Sequence, residues 1–214
     1  MPIASVLSKS WLTSDTYLLR TARSDNELKP GQCFSLGTRV LGINREYSIY
    51  SGINEAYLEF LVRRIPNGRI STALSDLKTG DQIEIQGPFG EFCISEKSSR
   101  SDKFLFIATG TGIAPFHSFI STYPNLDYEL LHGVRFENET YGKEDYDPAR
   151  YHPSISAPTG DSKKNRVTDQ LRDLDVDRHT LIYLCGNRKM ITDSVGILRT
   201  RGVSGSQIFM ETFF

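Results

Sequence analysis

The chain has 214 residues, room for one large domain or two small ones, and 38% of them are hydrophobic, enough for a buried core. Its 25 Lys and Arg stand against 26 Asp and Glu, for a net charge of -1, which excludes a global electrostatic pull toward nucleic acid or an anionic membrane. Three scattered cysteines (Cys33, Cys93, Cys185) with no Cys-x-x-Cys pair, and four histidines without ligand spacing, argue against a disulfide framework, a metal site and a cysteine-bound iron–sulfur cluster.

Met1-Pro2-Ile3-Ala4 lacks the basic start and apolar run of a signal peptide. No stretch approaches the ~18 apolar residues of a membrane span. The expected location is a reducing cytoplasm. The first hundred residues read as β-rich, with strand patterns at 16–19, 47–50, 57–62 and 82–85. Lys29-Pro30-Gly31, Pro66-Asn67-Gly68 and Thr79-Gly80-Asp81 mark turns between them, which suggests a small barrel or sandwich. A short helix is predicted over 71–77, with Ser71 as its N-cap and Gly80 beyond its end.

Composition shifts at the polar run 95–102, read as a domain linker. After it, 104–108 is a continuous apolar run of the kind found in buried parallel strands, and 130–131 and 181–184 are similar. Helices are predicted over 115–121, 168–174 and 189–199. In the last, Ile191, Val195 and Leu198 fall at helical spacing, and Gly202 is a stop. Such alternation points to a doubly wound parallel sheet. The polar stretch 136–165 reads as a long surface loop. The last residues, Phe209-Met210-Glu211-Thr212-Phe213-Phe214, are too apolar for a frayed terminus and are expected to pack, a flat cofactor ring being one candidate.

Three segments carry chemistry. A buried strand ends in Thr109 and runs into Gly110-Thr111-Gly112-Ile113-Ala114-Pro115, where a helix start and close-approaching glycines suit a pyrophosphate or make a plain tight turn. Arg45 and Tyr47 of Arg45-Glu46-Tyr47-Ser48 project onto one strand face, where a guanidinium and a phenol ring suit a phosphate and a planar ring, or an ordinary half-exposed strand. Gly68-Arg69-Ile70-Ser71-Thr72 is a second anion site or a capped helix.

Taken together, these segments resemble the ferredoxin–NADP reductase family over nearly the whole chain. Pro30-Gly31-Gln32-Cys33-Phe34 resembles the family's Pro-Gly-Gln-x-Phe strand entry, Arg45-Glu46-Tyr47-Ser48 its Arg-x-Tyr-Ser flavin signature, and Gly68-Arg69-Ile70-Ser71 its Gly-x-x-Ser pyrophosphate grip. Gly80-Asp81 and Gly87-Pro88-Phe89-Gly90 match the closing strands of its barrel. Gly110 to Pro115 matches its dinucleotide loop, and Cys185-Gly186-Asn187 with the final Glu211-x-Phe213 completes the order.

The resemblance implies two domains: an antiparallel FAD-binding β-barrel over 1–98, then a Rossmann-like parallel-sheet NADP-binding domain over 102–214. It implies that Arg45 pairs with the flavin pyrophosphate, supported by Ile70, Ser71 and Thr72. Tyr47 and Phe213 cover the two flavin faces, Ser48 hydrogen-bonds flavin N5, and Cys185 and Glu211 flank the nicotinamide. Thr109, Gly110, Thr111, Gly112, Arg135, Arg166, Cys185 and Gly186 line the nucleotide site. No metal is implied.

Where NADP-using members carry an arginine that reads the 2′-phosphate, this chain has Ala157. Arg135 and Arg166 remain, and Lys163 and Lys164 add nearby charge, so NADP is favoured with NAD as the alternative. Phe213 lacks the family hydroxyl and is followed by Phe214. The resemblance implies an enzyme moving electrons between NADPH and a separate one-electron carrier, ferredoxin or flavodoxin, with Arg63, Arg64 and Arg69 as a docking patch. The alternatives are an NADH-dependent reductase of an oxygenase or small-molecule acceptor, and a non-catalytic flavin-binding subunit.

Overall fold

The computed structural model describes residues 2–23, 27–39, 41–157 and 165–213. They fall into two compact units, one of Met1–Ile94 with Ala114–Thr122 and one of Ser95–Ile113 with Tyr123–Phe214.

The first unit is built on six antiparallel strands: β1 (Ile3–Trp11), β2 (Thr16–Ala22), β3 (Cys33–Gly37), β4 (Asn44–Ser48), β5 (Tyr57–Arg63) and β6 (Gln82–Phe89). Their order is β4-β3-β6-β1-β2-β5. The two edges meet: Ile49 bridges Phe60, and the Tyr50 N–H donates to the Glu59 carbonyl at 2.8 Å. That closure removes the open edges and makes the sheet a barrel. Tyr17, Leu19, Leu36, Phe60 and Ile83 fill it, none more than 1% exposed.

Helix α1 (Arg69–Asp76) packs on the barrel through Ile70 and Leu74. The helix starts at Arg69, two residues before the predicted start, with Gly68 at the N-cap, and Ser71 lies inside its first turn. The Ser71 hydroxyl does cap something: it accepts the Ile65 N–H at 3.0 Å, closing the turn that delivers the chain into the helix. Strand 47–50 is likewise shifted, because Ile49 and Tyr50 leave the sheet to make the closure. The stretch 95–102 begins where the first unit's barrel segment ends and is helical. Ser95 accepts the Ser98 N–H and starts α2 (Glu96–Ser101).

The second unit is a parallel sheet of β7 (Lys103–Thr109), β8 (Asp127–Val134), β9 (Tyr151–Ile155), β10 (Leu181–Asn187) and β11 (Ile208–Phe213). Its order is β11-β10-β7-β8-β9. Helix α3 (Ala114–Thr122) follows β7 in sequence but clusters with the barrel. Its Ser118 hydroxyl donates to the Ser51 carbonyl at 2.8 Å, and Thr122 Oγ1 accepts the Ile53 N–H at 3.2 Å. Its His117 ring lies flat on Tyr50, centroids 3.6 Å apart.

Both faces of the parallel sheet are apolar, as expected when both are buried. Leu105, Ile107, Leu131, Ile182 and Leu184 pack with α4 (Val167–Asp173) and α5 (Arg188–Thr200) through Leu171, Met190, Ile191 and Leu198. The opposite face is aromatic. Phe104, Phe106, Tyr128 and Tyr183 pack ring to ring, and Phe209 stacks on Tyr183 at 4.6 Å. That contact, together with pairing to β10, holds the apolar C-terminal segment as an edge strand. The stretch 136–165 is not one surface loop: it contains β9, and Tyr141, Tyr146 and Tyr151 are buried.

Candidate functional sites in the two units

In the first unit, β4 carries the arginine and tyrosine expected on one face. Arg45 is exposed, Tyr47 is partly buried, and Ser48 at the strand end is buried. Tyr47 packs against the barrel core, and burial pushes its phenol up to about 12. It therefore stays neutral at physiological pH and offers a flat, uncharged ring. Arg45 donates to the Asn44 carbonyl at 2.9 Å, a contact on its own strand that leaves most of its five N–H donors for other partners.

The turn into α1 is made for close approach. A methyl on Gly68 would sit 2.7 Å from the Ser71 hydroxyl and 3.0 Å from the Ile65 carbonyl oxygen. The Ile70 side chain is in the core and the Ser71 hydroxyl is engaged by Ile65. What this turn offers a ligand is the backbone N–H groups of a helix start and the exposed Thr72 hydroxyl. An anion of pyrophosphate shape suits that donor set.

In the second unit, the topology selects the site. β7 leads to β8 on one side, and the chain later returns to β10 on the other, so the order reverses between β7 and β10. Ligands of open α/β sheets bind at the carboxyl ends of strands at such a reversal. There, Gly110–Ile113 after β7 meets Cys185-Gly186-Asn187 at the end of β10.

The two loops interlock. A methyl on Gly112 would lie 2.5 Å from the Cys185 carbonyl oxygen, and one on Gly186, whose φ is 128°, would lie 2.4 Å from Thr109 Oγ1. Only glycine permits this approach. Thr109 Oγ1 also accepts the Asn187 N–H at 2.9 Å, and Asn187 in turn caps α5 by accepting the Lys189 N–H.

Cys185 and Glu211 are register partners across β10 and β11, and the thiol donates to the carboxylate at 3.9 Å. Burial and then the neighbouring carboxylate push the thiol well above its usual range, so Cys185 is protonated near neutrality. That makes it a neutral packing and donor group rather than a thiolate nucleophile. Phe213 pairs with Asn187 one step further along the same face as Glu211 and is half-buried.

At the other end of this rim, the Ala157 N–H donates to the Arg135 carbonyl at 2.9 Å, and the Asn165 N–H donates to the Ile155 carbonyl at 3.0 Å. Arg135 thus lies beside the position where the family arginine is missing. It is exposed, as is Arg166 at the start of α4. Lys163, Lys164 and Phe214 lie outside the described residues. No cluster of metal-ligating side chains occurs among the described residues, and no helix among them is long and apolar enough to cross a membrane.

Sequence reasoning missed one participant. His132 is fully buried in β8, with Nε2 2.9 Å from the Gly110 carbonyl oxygen and Nδ1 2.9 Å from the Tyr151 hydroxyl. The available signal was a histidine directly after the apolar pair Leu130-Leu131 and three residues before Arg135.

Comparison with known proteins assigns these units. Residues 4–94 match an oxidoreductase FAD-binding domain and 106–195 an oxidoreductase NAD-binding domain. The chain is 30% identical, over 75% of its length and 71% of the relative's, to the flavodoxin/ferredoxin–NADP reductase of Buchnera aphidicola subsp. Schizaphis graminum. It is 31% identical, over 84% and 69%, to NADH-cytochrome b5 reductase 1 of Lodderomyces elongisporus.

Other relatives are longer. The chain spans 58% of the toluate 1,2-dioxygenase electron transfer component of Pseudomonas putida, at 28% identity over 86% of its own length. The fold superposes on a ferredoxin NADP+ reductase from Neisseria gonorrhoeae with bound FAD and NADP at a TM-score of 0.87 and 22% identity, covering 100% of this chain and 98% of that one.

Proposed function

This chain belongs to the ferredoxin–NADP reductase family of FAD- and NAD(P)-binding oxidoreductases, and from that membership we propose that it carries electrons between NADPH and a one-electron carrier, a ferredoxin or flavodoxin, in a reducing cytoplasm. In this reading the barrel domain spans 1–98 and the nucleotide domain 102–214. Bound FAD supplies the chemistry, exchanging a hydride at N5 and passing electrons on singly.

The residues bind and orient. Arg45 and the first turn of α1 hold the FAD pyrophosphate, Tyr47 lays its neutral ring against the flavin, and Ser48 donates toward N5. In the second unit, the interlocked loops after β7 and β10 cradle the nucleotide pyrophosphate. Cys185 and Glu211 flank the nicotinamide, the thiol keeping its proton throughout. Phe213, two residues beyond Glu211 on the same face of β11, would gate nucleotide affinity. The observation that carries the reading is the glycine interlock at the reversal of strand order, with Cys185 and Glu211 in register at its rim.

NADPH is preferred because Arg135 and Arg166 supply the cations that a 2′-phosphate requires. A second reading, NADH as donor to an oxygenase or small acceptor, is favoured by Ala157 in the arginine position and by the similarity to NADH-cytochrome b5 reductase 1.

Anaerobic mixing with NADPH and, separately, with NADH tests this, followed at the flavin absorbance band. Fast bleaching by NADPH alone is the expected result. Fast bleaching by NADH assigns the second reading, and a yellow protein bleached by neither refutes both.

A further inference from the structure

His132 is buried and touches the glycine loop, and its two hydrogen bonds determine its state. The Gly110 carbonyl oxygen can only accept, so Nε2 carries the proton and donates to it at 2.9 Å. Nδ1 is then a bare acceptor, and the Tyr151 hydroxyl donates to it at 2.9 Å. Burial depresses the imidazole to about 4, so this neutral tautomer persists across the physiological range. Tyr151 is itself buried and fixed, packed on Tyr146 with centroids 5.0 Å apart. The chain Tyr151 to His132 to Gly110 therefore runs from β9 through β8 to the loop after β7.

The consequence for the loop follows from peptide geometry. In a planar trans peptide the C=O and the following N–H point in opposite directions. With the Gly110 carbonyl drawn toward buried His132, the Thr111 N–H points away from it. Gly110 holds φ 53°, a left-handed value that lets the peptide turn in this sense. Two neighbouring directions are taken: Gly112 abuts the Cys185 carbonyl, and Thr109 holds the Asn187 N–H.

We propose that His132 and Tyr151 are positioning residues that aim the Thr111 N–H at the pyrophosphate of the bound dinucleotide. This rests on the reading of the loop as the nucleotide cradle. Neither side chain touches the ligand. His132 acts through the orientation of one peptide, and Tyr151 acts by holding the imidazole tautomer and ring.

The test uses the full chain with its flavin and the variants His132→Leu, His132→Gln and Tyr151→Phe. Binding of NADP+, NAD+ and adenosine, which carries no phosphate, is measured by calorimetry. The Thr111 amide is followed by nitrogen-15 NMR as the dinucleotide is added. Loss of one aimed hydrogen bond to a phosphate is expected to weaken dinucleotide binding about 10–100-fold in His132→Leu, with adenosine affinity unchanged and the Thr111 shift abolished.

Gln at 132 restores an N–H near the Nε2 position and should recover most of the affinity and the shift. A merely structural role would not be rescued in this ligand-selective way. Tyr151→Phe should weaken dinucleotide binding about 3–10-fold with the same selectivity, and it decides the matter if His132→Leu does not fold. Unchanged dinucleotide affinity in either folded variant, or equal losses for adenosine, overturns the proposal. A wild-type protein that binds neither dinucleotide overturns the nucleotide-site reading itself, which is a separate failure.

Discussion

Replacing Gly112 with alanine puts the glycine interlock under direct strain. The added methyl would lie 2.5 Å from the Cys185 carbonyl oxygen and 2.7 Å from the Gly186 Cα, whereas ordinary contact begins at 3.4 Å. Both are backbone atoms, so neither can rotate aside. The loops after β7 and β10 must separate by the difference, 0.9 Å at the closest point. Overpacking of that kind costs about 1–3 kcal/mol of stability, and a displacement of ~1 Å at a reacting geometry costs about 100-fold in rate.

Stopped-flow reduction of the flavin by the preferred nucleotide should therefore slow by about two orders of magnitude, with a weaker apparent Kd and a lower Tm. Flavin content should be unchanged, because Gly112 lies outside the FAD-binding domain. Gly196→Ala is the control: its methyl meets nothing within 4 Å on the exposed face of α5, and it should stabilise by about 0.5–1 kcal/mol. A Gly112→Ala protein with wild-type Kd, rate and Tm would refute the claim that the two loops need their contact.

Four further outcomes are expected. Gly68→Ala crowds Ser71 and Ile65, so it should lower bound flavin per chain after dialysis while leaving nucleotide binding intact; full flavin retention would contradict it. Because the folded pKa of His132 lies near 4, below the unfolded 6.5, the unfolded chain binds more protons between those values. Stability should fall as pH drops through that window, by at most about 3 kcal/mol from this group, and urea titrations of His132→Gln should show a correspondingly flatter pH dependence. Arg135→Ala and Arg166→Ala should each reduce the preference for NADPH over NADH by about tenfold if they hold a 2′-phosphate, and an unchanged kcat/KM ratio would remove them from that role. Iodoacetamide at pH 7.5 should label partly exposed Cys93 and spare buried Cys185, whose raised pKa keeps it a thiol; rapid labelling at 185 would show the thiol to be less protected than its burial implies.

Much of the architecture was legible in the residues because it depends on local pattern. The run at 104–108 is apolar at every position and reads as a strand buried on both faces, which β7 is. The i, i+4, i+7 spacing of Ile191, Val195 and Leu198 marks the buried stripe of α5. Motif order placed the flavin and nucleotide segments in sequence. The segment misjudged was one where tertiary partners overrule composition: 136–165 reads as loop by its Gly, Pro and charge, yet it buries three tyrosines and adds β9 to the sheet.

Residue identity and spacing alone thus determined the two domain types and the family, since strand and helix periodicity and glycine-rich turns are properties of neighbouring residues. Which atoms meet was decided only by the tertiary structure. Gly112 and Cys185 are 73 positions apart in the numbering, and His132, Tyr151 and Gly110 come from β8, β9 and the loop after β7. Their contacts exist because parallel pairing brings those three strands side by side, and no local pattern encodes which strand becomes whose neighbour.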